Sequence, residues 1–369
     1  MTRIALEDGL VLTGIPFGSP RDAEGEVVFN TSMFGYQEIL TDPSYAGQIV
    51  VMTTPEIGNV GVNADDEESS GPKAVGMVVR ELCAPSNQRS TESLHDYLLR
   101  TGVSGVSEID TRKLVRHLRT VGVRRGIVSS ESVSDAALVE RARAVPSMEG
   151  RDLATEISTK EAYEWTAPMR APHGMAPEAP APKSDLHVVA YDYGLKLAML
   201  EELRRIGCRV TVVPAAFPAE RTLALEPHGV LLTNGPGDPA AVVGAAEAVR
   251  GLLGKVPILG ICMGHQILAL AAGAKTYKMK FGHRGANQPV MDVASKRIDI
   301  TSQNHGFAVD GDSLPDGVRV SHTNLNDGTV EGIEIPGARA FSVQHHPEAS
   351  PGPQEARSIF RKFRAAMVG

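Results

Sequence analysis

The sequence has few cysteines, few aromatic residues and no long apolar run. Three widely spaced cysteines in 369 residues do not form a disulfide framework. No apolar stretch approaches the roughly 18 residues that cross a bilayer, which excludes a membrane-spanning helix. Basic residues are fewer than acidic residues, so the net charge is −7 and the pI is near 5.9. That balance argues against a nucleic-acid-binding protein, which usually carries a basic face.

What remains is the composition of an ordinary globular protein. Hydrophobic residues make up 42% and charged residues 22% of the chain. The first residues, MTRIALED, include acids where a secretion signal would need its apolar stretch. We therefore expect a protein that stays in the cytoplasm, with no membrane association.

A change in composition near the middle predicts the domain organisation. Proline and alanine dominate residues 166–185, and apolar residues do not recur there at the spacing of a helix or a strand. We expect an N-terminal domain over residues 1–150, a Pro/Ala-rich linker over 151–185 and a C-terminal domain over 186–369. The length of 369 residues suits two or three domains.

The C-terminal part alternates strand-like and helix-like segments, which predicts an α/β fold with a mostly parallel sheet covered on both faces. An alanine-rich helix is expected over 240–254. Beyond residue 275 the pattern predicts short strands and turns, followed by a final helix over 355–367. The N-terminal part mixes short strands with helices over 91–101 and 111–121. Its class, α+β or a barrel-like β/α unit, stays open at this point.

One cysteine lies between two glycines in GICMGHQ, residues 260–266. A short apolar run, VPIL, precedes it and a helix-like run that stops at Gly273 follows it. A strand, a sharp Gly-x-Cys-x-Gly turn and a helix form a nucleophile elbow. The glycines avoid Cβ clashes in the turn, and the helix N-terminus adds partial positive charge beside the sulfur. Although free cysteines are usually inert and buried, this context favours Cys262 as a nucleophile.

A nucleophilic thiol needs a base, and the base needs an orienting group. The segment FSVQHHPEASPGP, residues 341–353, offers both. If extended geometry continues past Pro347, His346 and Glu348 share one face and His345 points to the other. Glu348 would then orient the His346 imidazole. Because the adjacent histidines would point apart and no ligand spacing accompanies them, we expect no metal site.

A glycine-rich turn, TNGPGDP, occupies residues 233–239 at the end of a predicted strand. It lacks the third glycine of a dinucleotide fingerprint, since Ala240 stands there, and GKV at 254–256 does not complete a Walker motif. Backbone amides beside a thiolate suit an oxyanion hole instead. The amides of Gly237 and Met263 are the expected donors.

Together, GICMGHQ, QHHPE and NGPGDP resemble the motifs of the class I (triad-type) glutamine amidotransferases. Within that family, GEVVFNTSMFGYQEILTDPSYAGQIV over 25–50 and IGNVGVN over 57–63 look like the small-subunit branch that serves carbamoyl phosphate synthetase. The resemblance extends over essentially the whole chain, including FGHRGANQPV and ITSQNHGF near residues 281–307.

The resemblance implies that Cys262 attacks the side-chain amide of L-glutamine, while His346 and Glu348 complete a catalytic triad. His346 protonates the departing ammonia, and water hydrolyses the thioester. One departure matters: the site before His346 is often small or aromatic in the family but is His345 here, so the choice of base between these two stays open. Motif matching implies glutamine contacts at Ser44, Gly235, Gly237, Met263, Gln266, Asn304, Gly306 and Phe307. For Ser44, a turn cap after Asp42-Pro43 is an equally good local explanation.

The resemblance further implies a large synthetase subunit as partner, because this chain has no ATP motif. We expect no cofactor in this chain, and ATP with Mg²⁺ or K⁺ in the partner, which would make carbamoyl phosphate for pyrimidines and arginine. One alternative is the glutaminase component of an anthranilate, GMP or CTP synthase, which lacks the N-terminal motifs. Another is a non-catalytic amidotransferase-like regulatory protein, against which the intact triad argues.

Overall fold

The computed structural model describes residues 1–170 and 185–369, and the chain divides into two compact units. The first unit contains Met1–Met148, and the second begins at Glu149 and includes the described residues up to Gly369. Each unit has buried apolar clusters of its own. In the described part of the chain, no helix has the length and apolar character needed to cross a membrane.

The first unit is built on a closed β-barrel. The strands of this unit are β1 (Thr2–Leu6), β2 (Val11–Gly18), β3 (Ala23–Asn30), β4 (Gln48–Met52), β5 (Glu56–Ile57), β6 (Gly76–Val78), β7 (Glu81–Leu82), β8 (Ser104–Ser107) and β9 (Arg124–Ser129). The barrel order is β1-β2-β8-β6-β4-β3-β9, while β5 and β7 pair separately. Pairing is parallel along β3-β4-β6-β8 and antiparallel elsewhere in the barrel. Of the two classes that the sequence left open, the structure has the barrel.

The helices of the first unit are α1 (Tyr36–Thr41), α2 (Leu94–Thr101), α3 (Thr111–Val121) and α4 (Asp135–Ala144). Both helices expected from the sequence are present. Helix α2 begins after Ser93, whose side chain caps the amide of Asp96, and α3 begins after Asp110, which caps Lys113. A side-chain oxygen at the N-cap satisfies an amide that has no partner within the helix, which is why these helices start where they do.

The second unit is a sheet flanked by helices. Its elements are α5 (Leu153–Ile157), β10 (Tyr163–Glu164), β11 (His187–Asp192), α6 (Leu197–Arg205), β12 (Arg209–Pro214), α7 (Ala219–Ala224), β13 (Gly229–Leu232), α8 (Ala245–Leu252), β14 (Ile258–Ile261), α9 (Met263–Ala272), β15 (Thr276–Asp292), β16 (Ile298–Val309), β17 (Arg319–Asn324), β18 (Val330–Ile335), β19 (Ala340–Val343) and α10 (Ser358–Val368). The strand order is β10-β12-β11-β13-β14-β19-β18-β16-β15-β17.

The centre of this sheet is parallel, from β12 through β11, β13 and β14 to β19. Alternate residues of β11 belong to two different apolar clusters: Val189 and Tyr191 pack with α8 and α9, and Val188 and Ala190 with α6 and α10. Strands buried on both faces are continuously apolar, which explains the runs in the sequence. The predicted parallel α/β sheet, covered on both faces, is therefore present.

The strands after residue 275 extend the sheet with antiparallel pairs. Two of them are longer than the short strands expected from the sequence, since β15 has 17 residues and β16 has 12. The pairing of β15 with β16 shifts register between Lys278 and His283 and again between Gly285 and Gln288. In a sequence, a glycine at a bulge is easily taken for a turn residue. A long strand with bulges is therefore predicted as several short strands.

Two further segments differ from expectation. The helix expected over 240–254 begins only at Ala245, because a 3-10 turn over Pro239–Ala241, capped by Asp238, precedes it. Residues 151–165, which fall inside the predicted linker range of 151–185, contain α5 and β10, and β10 pairs with β12. Elements of five and two residues are too short to show a period. Residues 171–184 of the predicted linker lie outside the described residues.

Candidate active site

Cys262 occupies a sharp turn between β14 and α9. Its φ of 53° and ψ of −105° lie in a region that non-glycine residues rarely adopt. A Cβ on Gly260 would lie 2.6 Å from the carbonyl oxygen of Gly264, and one on Gly264 would lie 2.1 Å from that of Leu232. Both flanking positions therefore require glycine. The nucleophile elbow predicted from the sequence is present, and the cysteine itself takes the strained conformation.

The thiol lies against the neighbouring strands. Cys262 is only 2% exposed, its amide donates to the Val343 carbonyl at 2.9 Å, and its Sγ donates to the Asn304 carbonyl at 3.6 Å. These contacts hold the sulfur between the end of β19 and the middle of β16. The element that follows Cys262 is the N-terminus of α9, where amides and the helix dipole favour negative charge.

His346 and Glu348 form a buried pair. His346 Nδ1 lies 2.7 Å from Glu348 Oε1, and the side chains are 2% and 0% exposed. The backbone conformation that brings them together is not the expected one, because β19 ends at Val343 and the chain does not stay extended past Pro347. The amide of Ala349 donates to the His346 carbonyl at 3.1 Å, so a tight turn brings the two side chains together.

Each member of this pair stabilises the charged form of the other. Burial alone would lower the pKa of His346, but the Glu348 carboxylate and the nearby Cys262 sulfur outweigh it and raise that pKa to about 10. Burial likewise opposes the charge on Glu348, yet the Lys196 ammonium and His346 lower its pKa to about 2. Apart from its interaction with the Cys262 sulfur, His346 Nε2 has no hydrogen-bond partner among the described residues. An imidazolium whose second N–H faces the sulfur is thus available.

Lys196 is the residue of this site that the sequence analysis missed. Its Nζ donates to Glu348 Oε1 at 3.0 Å and to the Ala349 carbonyl at 2.6 Å, and the residue is 3% exposed. It lies just before α6, and its amide donates to the Asn234 side chain at 3.1 Å. A lysine preceding an amphipathic helix carries no local signal, because its partner lies 152 positions away in the sequence.

His345 contacts residues outside the triad. Its Nδ1 lies 4.0 Å from Glu331 Oε2, and its ring packs edge-on against His322. Burial lowers the pKa of His345 well below its ordinary value, as does the charge of His322. Burial therefore favours the neutral form of this imidazole. The geometry therefore favours His346 as the base between the two adjacent histidines.

The loop after β13 lies beside the elbow. The Gly264 amide donates to the Thr233 carbonyl at 2.9 Å, which ties α9 to the start of this loop. Gly235 and Gly237 are both closely packed, since added Cβ atoms would lie 2.0 Å and 2.6 Å from backbone oxygens. The amides of Gly237 and Met263 donate no hydrogen bond among the described residues. Both expected oxyanion donors are thus available.

Several of the predicted glutamine contacts gather around Cys262. Met263 follows it, Asn304 accepts from its thiol, and the Gln266 side chain donates to the Phe307 carbonyl at 2.7 Å. Gly306 lies between these β16 residues, and a Cβ there would be 3.1 Å from the Arg284 guanidinium. Ser44 belongs to the first unit, in a 3-10 turn over Pro43–Tyr45 where the Asp42 side chain accepts from its amide.

One group of residues could in principle hold a metal ion. In the described part of the chain, His283, His305 and Glu331 bring ligand atoms within 4.8 Å of one another. Both nitrogens of His305 already have polar neighbours, Nδ1 with the Phe307 carbonyl at 2.8 Å and Nε2 with the Gln303 side chain at 2.7 Å. A metal needs a free imidazole lone pair, so this arrangement suits a hydrogen-bonded network better.

Two family models match the chain. Residues 189–366 match "Glutamine amidotransferase class-I", and residues 4–128 match "Carbamoyl-phosphate synthase small chain, CPSase domain". The first match lies within the unit that holds the elbow, and the second within the barrel unit.

Three relatives that are similar over nearly the whole chain share the name carbamoyl phosphate synthase small chain. The protein of Syntrophotalea carbinolica is 54% identical over 99% of this chain and 97% of its own length. That of Thioalkalivibrio sulfidiphilus is 52% identical over 98% and 95%. That of Rhodopirellula baltica is 49% identical, again over 98% and 95%.

Proposed function

Because the chain belongs to the carbamoyl phosphate synthase small chain family, we propose that it is the glutamine-hydrolysing subunit of such an enzyme. The observation that carries the proposal is the buried Cys262–His346–Glu348 constellation at the elbow. A thiol on a strained turn, an imidazolium held by a carboxylate and two available amides are the parts that acyl transfer requires.

The reaction begins when the Cys262 thiolate attacks the side-chain carbonyl carbon of L-glutamine. The carbonyl oxygen becomes an oxyanion, which the amides of Gly237 and Met263 stabilise. His346 Nε2 then gives its proton to the departing nitrogen, the C–N bond breaks and ammonia leaves. Water attacks the carbonyl carbon of the resulting thioester, with neutral His346 accepting its proton; the C–S bond then breaks, which releases glutamate and restores the Cys262 thiolate. Glu348 and Lys196 keep the imidazole in the required orientation throughout.

Glutamine is held by the residues around the elbow. Gly235, Gln266, Asn304, Gly306 and Phe307 of the second unit would contact it. Two observations support these glutamine contacts. One is the family motif, and the other is that Asn304 contacts Cys262 and Phe307 contacts Gln266. The contact predicted at Ser44 rests on the family motif alone.

The ammonia passes to a large synthetase subunit, which makes carbamoyl phosphate from bicarbonate with ATP and with Mg²⁺ or K⁺. The product serves pyrimidine and arginine biosynthesis in the cytoplasm. The names of the relatives over their full length support this assignment, since a small chain implies a larger partner. We expect this chain to need no cofactor of its own for glutamine hydrolysis, because the Cys262 thiolate is the nucleophile and His346 makes each proton transfer in these steps.

The test replaces Cys262 in the enzyme assembled with its large subunit. Cys262→Ser removes the thiol, so glutamine-dependent carbamoyl phosphate formation should fall to background while formation from ammonium chloride continues. Cys208→Ser is the matched control, because Cys208 is also buried but burial raises its pKa to about 11, which keeps it a protonated thiol. Retention of glutamine use by Cys262→Ser would contradict the proposal.

The same assay separates the alternatives. A glutaminase of an anthranilate, GMP or CTP synthase would release ammonia from glutamine but give no carbamoyl phosphate with this large subunit. A regulatory protein would release no ammonia at all. The match of residues 4–128 to the small-chain domain favours carbamoyl phosphate synthesis over both.

A further inference from the structure

A buried histidine of β15 lies between two carboxylates. His283 Nε2 is 3.0 Å from Asp327 Oδ2, and its Nδ1 is 3.5 Å from Glu331 Oε1. The side chains of His283 and Glu331 are 7% and 0% exposed, whereas Asp327 is 41% exposed. Asn324 donates to Glu331 at 2.9 Å. The triad mechanism uses none of these four side chains.

The cluster is connected to the strand that carries the expected glutamine contacts. His283 of β15 is the cross-strand partner of His305 of β16, and their rings meet edge to face with centroids 5.0 Å apart. His305 Nδ1 lies 2.8 Å from the Phe307 carbonyl, which also accepts from the Gln266 side chain at 2.7 Å. His283 is thus connected to the Phe307 backbone through the side chain of His305.

The backbone of β15 is shaped for this contact. Gly282 has a φ of 66°, and a Cβ there would lie 2.2 Å from the His305 carbonyl oxygen. The register shift that ends at His283 sets this close approach. Only glycine allows the two strands to come together here, so the pairing of the two histidines is specified by the local backbone.

The groups facing His283 favour its charged form. Burial opposes the charge, but Glu331 and Asp327 outweigh it and raise the pKa of His283. On the other side, burial and the charge of His283 lower the pKa of His305 well below its ordinary value, and Arg284 adds to that effect. Glu331 is also faced by His345, at 4.0 Å. The cluster therefore holds one imidazolium between two carboxylates, beside neutral imidazoles.

We propose that His283, held between Asp327 and Glu331, is a positioning residue that fixes β16 over residues 304–307 for glutamine binding. It touches neither the thiol nor the triad and acts through His305 and the Phe307 carbonyl. The proposal rests on the proposed glutaminase function. Loss of the imidazolium leaves Glu331 buried without its cation, so β16 shifts and glutamine binds less tightly, while the chemistry of bound glutamine is unchanged.

The expected pH dependence follows from the sign of the charge. Because its carboxylates raise the pKa of His283, KM for glutamine in the wild-type holoenzyme should rise less between pH 6.5 and 8.5 than KM of a variant that lacks one of them. Asp327→Asn removes one carboxylate, so the imidazolium loses its proton at lower pH and KM should rise as the pH increases. At pH 8.5 we expect KM about tenfold above wild type, with kcat within about threefold. Asp327→Glu should restore the wild-type profile.

Asp292→Asn is the matched control. Asp292 is 39% exposed and lies 3.8 Å from a different histidine, His322. Like Asp327, it accepts from backbone amides in a turn. Its KM profile should follow wild type. A pH profile of Asp327→Asn parallel to those of wild type and Asp292→Asn would overturn the positioning role.

A second variant keeps the inference testable without changing Asp327. Glu331→Gln keeps the size of the side chain and should raise KM for glutamine at pH 7.5 by about tenfold, with carbamoyl phosphate formation from ammonia unchanged. Trp165 fluorescence reports whether the second unit is folded. An unchanged KM in a folded Glu331→Gln protein would contradict the inference.

Two other outcomes are distinguishable. Loss of glutamine hydrolysis on chelation and its recovery with zinc would replace the positioning role by a metal site. Absence of glutamine hydrolysis from wild-type holoenzyme that still uses ammonia would overturn the proposed function and this inference with it. If the wild-type enzyme hydrolyses glutamine normally and the Asp327 and Glu331 variants behave like it, only the positioning role is contradicted.

Discussion

Cys262 and Cys208 are both buried cysteines of the second unit, yet their surroundings differ. Cys208 is enclosed by apolar side chains, and burial raises the pKa of its thiol to about 11. Cys262 also contacts an apolar cluster, but it precedes a helix and has a buried histidine beside it. A thiol becomes a nucleophile through such neighbours and not through its own chemistry.

The two adjacent histidines give the first prediction. His346→Asn removes the proton donor for ammonia, so glutamine hydrolysis at saturating substrate should fall by about 10²–10⁴-fold. His345→Asn changes only the packing around His322 and should reduce the rate less than about tenfold. Ammonia release with and without the large subunit measures both.

Folding must be checked in each histidine variant, because both side chains are buried. Carbamoyl phosphate formation from ammonium chloride serves as the control. A greater loss in His345→Asn than in His346→Asn, with ammonia use intact, would mean that the base has been assigned to the wrong histidine.

The pH dependence of stability gives the second prediction. Glu348 has a pKa near 2, lowered from 4.5, so its contribution is complete above pH 4.5 and is lost as the pH falls towards 2. His346 has a pKa near 10, raised from 6.5, so its contribution is complete below pH 6.5 and is lost as the pH rises towards 10. The pair stabilises the fold most between these limits.

Glu348→Gln should therefore lower Tm most between about pH 4.5 and 6.5, and less on either side. Differential scanning calorimetry of wild type and variant across pH 3–9 makes the comparison. A difference in Tm that does not vary with pH would show that the pair contributes through packing and not through charge.

At the scale of elements, the elbow depends on how closely β13, β14 and α9 approach. Gly264 sits against the Leu232 carbonyl, and its amide bonds to Thr233. This contact fixes α9 against the end of β13, where the loop with the Gly237 amide begins. A change in this approach would move the thiol relative to both oxyanion donors.

The third prediction concerns this contact. Gly264→Ala puts a Cβ 2.1 Å from a backbone oxygen, so the elbow must shift, and we expect a loss of about 3 kcal/mol in stability together with most of the activity. Gly337→Ala is the matched control, since a Cβ there meets nothing within 4 Å.

Urea unfolding followed by tryptophan fluorescence measures this loss. Trp165 is the one tryptophan of the sequence, and it is buried in the second unit, so the signal reports on that unit. Equal unfolding midpoints for Gly264→Ala and Gly337→Ala would mean that the elbow tolerates a Cβ.

At the scale of the whole molecule, glutamine should stabilise the second unit by mass action. Cys262→Ser cannot form the thioester, so it binds glutamine with little turnover. At a concentration about 100 times Kd, glutamine should add about 2.7 kcal/mol to the free energy of unfolding reported by Trp165. D-Glutamine at the same concentration is the control and should have no effect. No shift with L-glutamine would argue against a site around the elbow.

The sequence by itself determined the features that depend on neighbours along the chain. GICMGHQ specified the elbow, because close backbone approach requires glycine at both flanking positions. Apolar runs specified the strands buried on both faces, and Ser93 and Asp110 specified the starts of α2 and α3. These are local rules of backbone sterics and capping, so they can be derived without a fold.

The tertiary structure decided the features that depend on distant partners. The closure of the first unit into a barrel requires β1 to pair with β9, across more than a hundred residues. Lys196 acquires its role only when folding brings it to Glu348, and His283 only when β15 lies beside β16. Even the His346–Glu348 pair forms through a turn and not through strand alternation. Charges and hydrogen bonds act over a few ångströms in space, and separation along the sequence carries no record of which residues will come that close.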